Sequence, residues 1–459
     1  EFRRVLFRSV AHRVVQAKEN LERKWRKIAI PAVFVLAVVA VLGIWQFYTH
    51  RPSVEPASVE KMAYPLPEKP SIAVLPLENM SGDSGQEYFS DGITEDIITA
   101  LSKVDELFVI ARNSTFTYKG RPVKVSQVAE ELGVRYVLEG SVRRTEDRVR
   151  ITAQLIDALS GHHLWAERYD RNLEEIFALQ DEITMKIVTA LEIKLTAGEQ
   201  ARMSSKRVKS LDAKLKLMEL QSLWSKGTKE SHVRYGQMAQ ELIDIAPESP
   251  VGYVSLGWHY WFLAMMGQSP RESIAKAFQL AQKALSIDES SPFSYALLSN
   301  LLAMMRQYDK AIAAGERGVF LNPNGALNHC ALGISLGFAG NQDEAIDHFK
   351  QAIRLDPYPE YYFYTHLGRC YMHKGAYEAA LSEFKKAIRI RPEATYNLMM
   401  LASVYALLDR QEEAEATINK IREISPQISV ESVSKGWPYK NQADLEFILD
   451  ALRKAGLPE

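Results

Sequence analysis

The feature that most restricts what this chain can fold into is a row of prolines, Pro323, Pro357, Pro392 and Pro426, set 34, 35 and 34 residues apart. A fixed period of this length means one supersecondary unit used repeatedly, each copy too small to bury its apolar face alone. The same residue types recur inside each unit. Leu332-Gly333, Ala345, Phe349 and Ala352 stand in one, and Leu367-Gly368, Tyr371, Ala380, Phe384 and Ala387 in the next. Leu401-Ala402, Tyr405 and Ala414 stand in the third. Upstream, "PFSYALLSNLLAMMRQYDKAIAAGERGVFLNP" reads as a fourth unit and the stretch from Pro250 to Asp288 as a fifth, lengthened around "MMGQSPRE". An imperfect unit ends at Pro247. After Pro426, "NQADLEFILDALRKAGLPE" predicts a terminal helix with Gly456 just past its end.

These positions resemble the tetratricopeptide repeat (TPR), over residues 209–426, with 427–459 as a capping segment. The resemblance implies pairs of antiparallel helices that approach through small residues and stack into an all-α solenoid. Most motif residues are then packing residues, and binding falls to the concave face, on the first helix of each pair. Carried over position by position, that face holds Phe293, Asn300, Leu327, Ile334, Tyr362, Arg369, Met372, Tyr396 and Met399. Arg369 is the single charge among them, so the groove reads as apolar and aromatic, suited to a peptide or helix with hydrophobic anchors.

Residues 69–195 follow other periods. "SIAVLPL" (Ser71–Leu77) reads as a buried strand, Gln86–Ser102 as a helix, Leu107–Arg112 as a strand and Val125–Leu132 as a short helix. "YVLEGSVRR" and "RVRITAQLIDA" read as a hairpin, with His162–Asp170 as a third antiparallel strand and an amphipathic helix closing the domain. The strings "SIAVLPLENMSGD", "YFSDGITEDIITAL", "FVIARNSTFTYKG", "ELGVRYVLEGSVRR" and "RITAQLIDALSGHHLWAERYD" together resemble the TolB-like (FlgO-like) domain of bacterial multidomain proteins. That resemblance implies a non-enzymatic α/β module, fused downstream of a class III nucleotidyl cyclase or a winged-helix domain.

Asp91, Glu95 and Asp96 invite a reading as a metal or acid/base cluster. Acidic residues in the first turns of a helix are equally what its positive end favours. That structural reading is preferred to catalysis, and Asp91 and Glu95 are kept as the candidates for ligand contact. His162 and His163, adjacent on a strand, point to opposite faces and cannot share a metal.

The amino-terminal end carries different signals. Residues 1–9, "EFRRVLFRS", resemble a translated sequencing adapter, and no initiator Met is present. Residues 10–27 are basic, 28–48 contain no charge and are long enough to span a bilayer, and 49–68 form a Pro-rich linker, expected to be extended. Positive charge before the span puts the amino terminus in the cytoplasm and everything after residue 48 in the periplasm, the protein being a single-pass one of the inner membrane.

With 56 Lys+Arg against 57 Asp+Glu the net charge is −1, which gives no footprint for nucleic acid. Two cysteines, Cys330 and Cys370, exclude a disulfide framework, one bridge between them remaining open. No phosphate-cradling loop, HExxH or CxxC is present, and neither metal nor cofactor is expected. The expected architecture is a transmembrane helix, a small α/β domain and a TPR solenoid. The expected function is a membrane-anchored, non-enzymatic module binding protein or peptide partners outside the cytoplasm. The alternatives are the carboxy-terminal part of a class III adenylate or guanylate cyclase, and that of a membrane-bound winged-helix regulator.

Overall fold

The computed structural model describes residues 54–203, 210–224 and 229–459. The expected adapter scar, basic segment and span lie outside them. Among the described residues no helix is long and apolar enough to cross a membrane. The chain divides into two units, residues 1–54 and 55–459, and the second holds every regular element of the described residues.

That unit begins with an α/β region. Its strands are β1 (Ser71–Val74), β2 (Glu78–Asn79), β3 (Phe108–Val109), β4 (Tyr136–Arg144), β5 (Arg148–Asp157) and β6 (His162–Asn172). They form one sheet in the order β3-β1-β4-β5-β6, β2 pairing with β4 beyond the end of β1. The pairs of β1 with β3 and β4 are parallel, and β4-β5-β6 is an antiparallel meander. Four buried residues in a row make β1 an interior strand, as a parallel pairing with both faces covered requires. β3 is shorter than its apolar run predicts: Ile110 still donates to the Ile72 carbonyl at 3.0 Å, and Ala111 turns toward the repeats and the next helix.

Helices α1 (Glu87–Leu101), α2 (Arg112–Phe116), α3 (Val125–Leu132), α4 (Ile176–Ala190) and α5 (Ala197–Met203) accompany the sheet. The core between α1, α4 and the sheet contains Ile72, Ile93, Ile97, Leu138, Ile151, Ile183 and Ile187. The linker is docked rather than free along its described part. Ala57 donates its amide to the Ala158 carbonyl at 2.7 Å, and Ala63 to the Glu130 carbonyl at 2.8 Å.

The solenoid comprises six helix pairs: α6 (Leu211–Trp224) with α7 (Lys229–Ile245), α8 (Pro250–Met265) with α9 (Pro270–Ile287), and α10 (Pro292–Met304) with α11 (Tyr308–Leu321). The remaining pairs are α12 (Ala326–Ala339) with α13 (Gln342–Leu355), α14 (Tyr361–His373) with α15 (Tyr377–Ile390), and α16 (Thr395–Leu407) with α17 (Gln411–Ile424). The small-residue positions do what the period predicts. A Cβ on Gly368 would stand 2.6 Å from the Phe384 ring, so glycine sets how closely α14 and α15 approach. The turn inside each of the last four pairs repeats as well: Arg306, Gly340, Gly375 and Asp409 all have positive φ. Two short helices follow, α18 (Val430–Gly436) and α19 (Gln442–Lys454). Leu445, Ile448, Leu449 and Leu452 of α19 complete the core of the last pair.

The α/β region and the solenoid share a polar seam. β3 uses one edge on β1, and its outward amides find acceptors in the repeats. Val109 N–H donates to Asn324 Oδ1 at 3.3 Å, and Ala111 N–H to the Leu355 carbonyl at 2.8 Å. Asn324 also donates to the Ser102 and Val104 carbonyls, and Arg354 to those of Leu132 and Gly133. An otherwise open sheet edge is thereby closed by the ends of two successive helix pairs, the Asn324 loop and the last turn of α13. On the other side α1 packs against α6 so closely that a Cβ on Gly92 would stand 2.3 Å from Met218 Cγ.

Candidate functional site

The nine inner-face residues picked from the repeat period do not form one open strip. Phe293, Leu327 and Tyr362 are half-buried and line a cavity of about 380 Å³, whose opposite wall is α1 and α6, with Glu95, Lys214 and Gln221. Toward the carboxy terminus the groove is filled by the chain itself. Residues 437–440, extended between α18 and α19, lie across α16, α14 and α12. Trp437 packs edge-on against Tyr396 at 5.4 Å between ring centroids, and Tyr439 against Phe338 at 5.2 Å. Lys440 N–H donates to the Phe338 carbonyl at 3.0 Å, and Arg306 Nη2 to the Trp437 carbonyl at 3.2 Å.

The expectation of an exposed groove is corrected accordingly. Arg369 and Met372 are fully buried, and Met399 and Asn300 nearly so; Ile334 and Tyr396 are half-buried and pack on the same core as Tyr439. The period reports only the spacing of helices. It carried no sign that a later segment returns to cover that face. The available signal was Trp437-Pro438-Tyr439, an aromatic pair around a proline after the last repeat, with no place in the helical pattern.

Arg369 is the unusual member. Its guanidinium lies over the Phe338 ring at 3.7 Å, with Tyr439 at 5.7 Å on the tail side. None of its three nitrogens makes a hydrogen bond. Its neighbour His373 meets the Tyr439 hydroxyl at 3.1 Å, and burial together with the Arg369 charge brings its pKa down to about 3.

The acidic residues of α1 each have a partner. Asp91 receives two hydrogen bonds from Lys119, at 2.6 and 2.7 Å, and Lys119 also pairs with Glu87. Glu95 pairs with Arg112 at 3.1 Å and accepts from Gln221 of α6, while Asp96 pairs with Lys214 of α6. These carboxylates fasten α1 to its surroundings, a cause that the helix-end argument did not supply. Asp91 and Lys119 also line an open cleft of about 820 Å³, together with Trp224, Tyr358 and Glu360. Asp91 and Glu95 thus lie on the walls of two different hollows.

Among the described residues no group of three or more His, Cys, Asp or Glu is arranged to hold a metal. Cys330 and Cys370 are free and buried, and burial pushes both thiols above their usual range. Gly333-Ile334-Ser335-Leu336-Gly337 has the spacing of a nucleophile elbow. It lies inside α12, and Ser335 is fully buried and bonded to Ser299 at 2.8 Å. An elbow needs a strand-to-helix turn that exposes the hydroxyl, so this string is packing. His162 and His163 are both exposed.

Residues 330–395 and 371–433 match family models for the tetratricopeptide repeat, and residues 68–186 match the model described as HilA/YgeH-like transcriptional regulator, second domain. A protein of Rhizobium meliloti (strain 1021) described as "Putative adenylate cyclase 3" is 46% identical over 271 residues, which are 58% of this chain and 46% of that protein. Transcriptional regulator HilA of Salmonella typhimurium is 21% identical over 331 residues, 71% of this chain and 58% of its own. The chain thus spans about half the length of the curated relatives it matches. The solved structure of YrrB, a TPR protein with an unusual peptide-binding site, is 20% identical and covers 41% of this chain and 93% of its own, with a TM-score of 0.29. For PilW, a type IV pilus biogenesis factor, the values are 19%, 44%, 89% and 0.34. The chain carries a small α/β region followed by tetratricopeptide repeats, a scaffold suited to protein interactions.

Proposed function

We propose that this chain is the partner-binding and sensing part of a membrane-anchored bacterial signalling protein. In this reading residues 28–48 are the anchor, and residues 69–195, as a TolB-like module, and the repeats lie outside the cytoplasm. The observation that carries the binding role is the inner face of the repeats. Aromatic and apolar side chains converge there, beside two hollows. The charge-free span and its basic amino-terminal flank support the anchoring. A photo-crosslinking residue in place of Tyr362 in the full-length protein in cells is expected to give a defined protein adduct. Its absence there, alongside the same adduct from an outer-face position such as Lys350, would count against the groove. A reporter active only in the cytoplasm, fused after Glu459, is expected to be silent; activity would reverse the orientation.

The 46% identity to the protein described as an adenylate cyclase favours a second reading, in which the intact protein carries a class III cyclase domain upstream. Purified residues 55–459 would then form no cyclic nucleotide from ATP or GTP, and the product of the intact locus would. The match of residues 68–186 to a regulator's second domain supports a third reading, a membrane-bound transcription regulator whose winged-helix DNA-binding domain lies upstream. Specific DNA binding by the intact product, without cyclase activity, would select it.

A further inference from the structure

The groove proposed above as the partner site is already occupied by residues 437–440, and the fit is incomplete in one respect. Tyr439 supplies a ring against Phe338 and His373, and Trp437 a ring against Tyr396. Arg369, fully buried between the Phe338 and Tyr439 rings, receives no hydrogen-bond acceptor from the tail. A buried guanidinium is stable in proportion to the acceptors it finds, and aromatic faces recover part of what water gave it. The tail therefore satisfies the apolar half of the site and leaves the cationic half unmatched.

We propose that residues 437–440 are an intramolecular stand-in, and that the partner is a peptide segment pairing an aromatic side chain with a carboxylate that reaches Arg369. This inference rests on the groove being the binding site. The energetic logic is a competition. A tethered segment is present at an effective concentration of about millimolar or more, so an external ligand with the same contacts loses to it. A carboxylate on a buried guanidinium forms charge-assisted, paired hydrogen bonds that the tail cannot make. The release path is short. Trp437 to Asn441 link α18 and α19, which need not unfold for the link to swing outward. The link is held by the Lys440 N–H on the Phe338 carbonyl at 3.0 Å, by Arg306 on the Trp437 carbonyl at 3.2 Å and by the Lys440–Asp309 pair at 3.8 Å.

The test uses the full chain and two labelled peptides, Gly-Trp-Pro-Tyr-Glu and Gly-Trp-Pro-Tyr-Gln, amidated at the carboxy terminus and read by fluorescence anisotropy. With the tail vacated by Trp437→Ala and Tyr439→Ala, the Glu peptide is expected to bind roughly tenfold or more tighter than the Gln peptide, as a charge-assisted bond in a dry site supplies. It is also expected to bind that variant more tightly than it binds the wild type. Adding Arg369→Met is expected to erase the Glu preference and leave Gln binding in place. Equal binding of the two peptides to the vacated variant overturns the acid recognition while the groove reading stands. Equal binding to wild type and vacated variant overturns the stand-in role. No binding of either peptide to a folded, vacated variant overturns both the inference and the groove reading. Tyr439→Leu, which keeps apolar filling but removes the ring, replaces the double variant if that one does not fold.

Discussion

Arg369 and Asp356 are the two ionisable side chains whose burial has the clearest energetic sign. Arg369 gives up hydration for the Phe338 and Tyr439 rings and the facing Tyr396 and Cys370 groups, with no carboxylate to pair it, and replacing buried charged groups by well-packed apolar ones of similar volume is often neutral or stabilising. Arg369→Met is therefore expected to leave the melting temperature unchanged or raise it by a few degrees. Arg369→Ala, which opens a cavity against Phe338, is expected to cost about 2 kcal/mol or more; calorimetry on the pair separates charge from volume. Asp356 is buried at the seam and accepts hydrogen bonds from Ser114 at 2.6 Å and Asn113 at 3.2 Å. Burial pushes its carboxyl up to about 6, the two hydrogen bonds opposing. The folded state thus holds a proton that an unfolded carboxyl, near 3.9, has already released. Its contribution is fully present below about pH 4 and is lost as pH rises through about 6, an effect on the order of 3 kcal/mol. His329, brought down to about 4 by burial, has the opposite sign and loses stability as pH falls from 6.5 toward 4. The difference between wild type and Asp356→Asn isolates the aspartate. Relative to the Asn variant, wild type is expected to gain stability between pH 7.5 and 5, and a flat difference would contradict the assignment.

At the scale of the element, the helix pairs were legible because their cause is periodic. Small residues recur where helices cross and prolines where a pair ends, so spacing alone predicted α10 to α17. The meander of the sheet was legible for the same reason, since alternation and a short turn at Thr145–Asp147 fix a hairpin. What spacing cannot carry is a contact made once. Asn324 and Asp356 stand next to the prolines that mark the period, and nothing in the period says that their side chains reach into another region. Trp437 to Lys440 belong to no element at all. One prediction at this scale comes from the repeated turn. Asp409 has a φ of 59° where two sister turns carry glycine, and its compensation is an exposed ion pair with Lys454. A left-handed non-glycine residue costs about 1 kcal/mol or more, whereas an exposed ion pair is worth about 0 to 1. The strain is the larger of the two, so Asp409→Gly is expected to raise the unfolding midpoint slightly in a denaturant titration at high salt, where the ion pair is screened.

For the molecule as a whole, the seam joins a sheet edge to a stack of repeats through the ends of two helix pairs that are one repeat apart. Val109 ends β3 and Ala111 lies two residues on, a distance of about 7 Å along extended backbone, and each amide is tied to a different repeat. The strand is therefore a ruler laid across the joint between α11 and α13. If the superhelix tightens or relaxes when the groove fills, the spacing of the two ends changes and the strand, which cannot stretch, must release one amide or follow. Filling the groove is thus expected to change the hydrogen-exchange rates of Val109 and Ala111 in opposite directions, while that of Ile110, bonded to Ile72 on the other edge, holds. Such a joint acts as a strain gauge. A ligand bound among the repeats would be felt as mechanical load on the sheet, and through it on the docked linker that precedes β1.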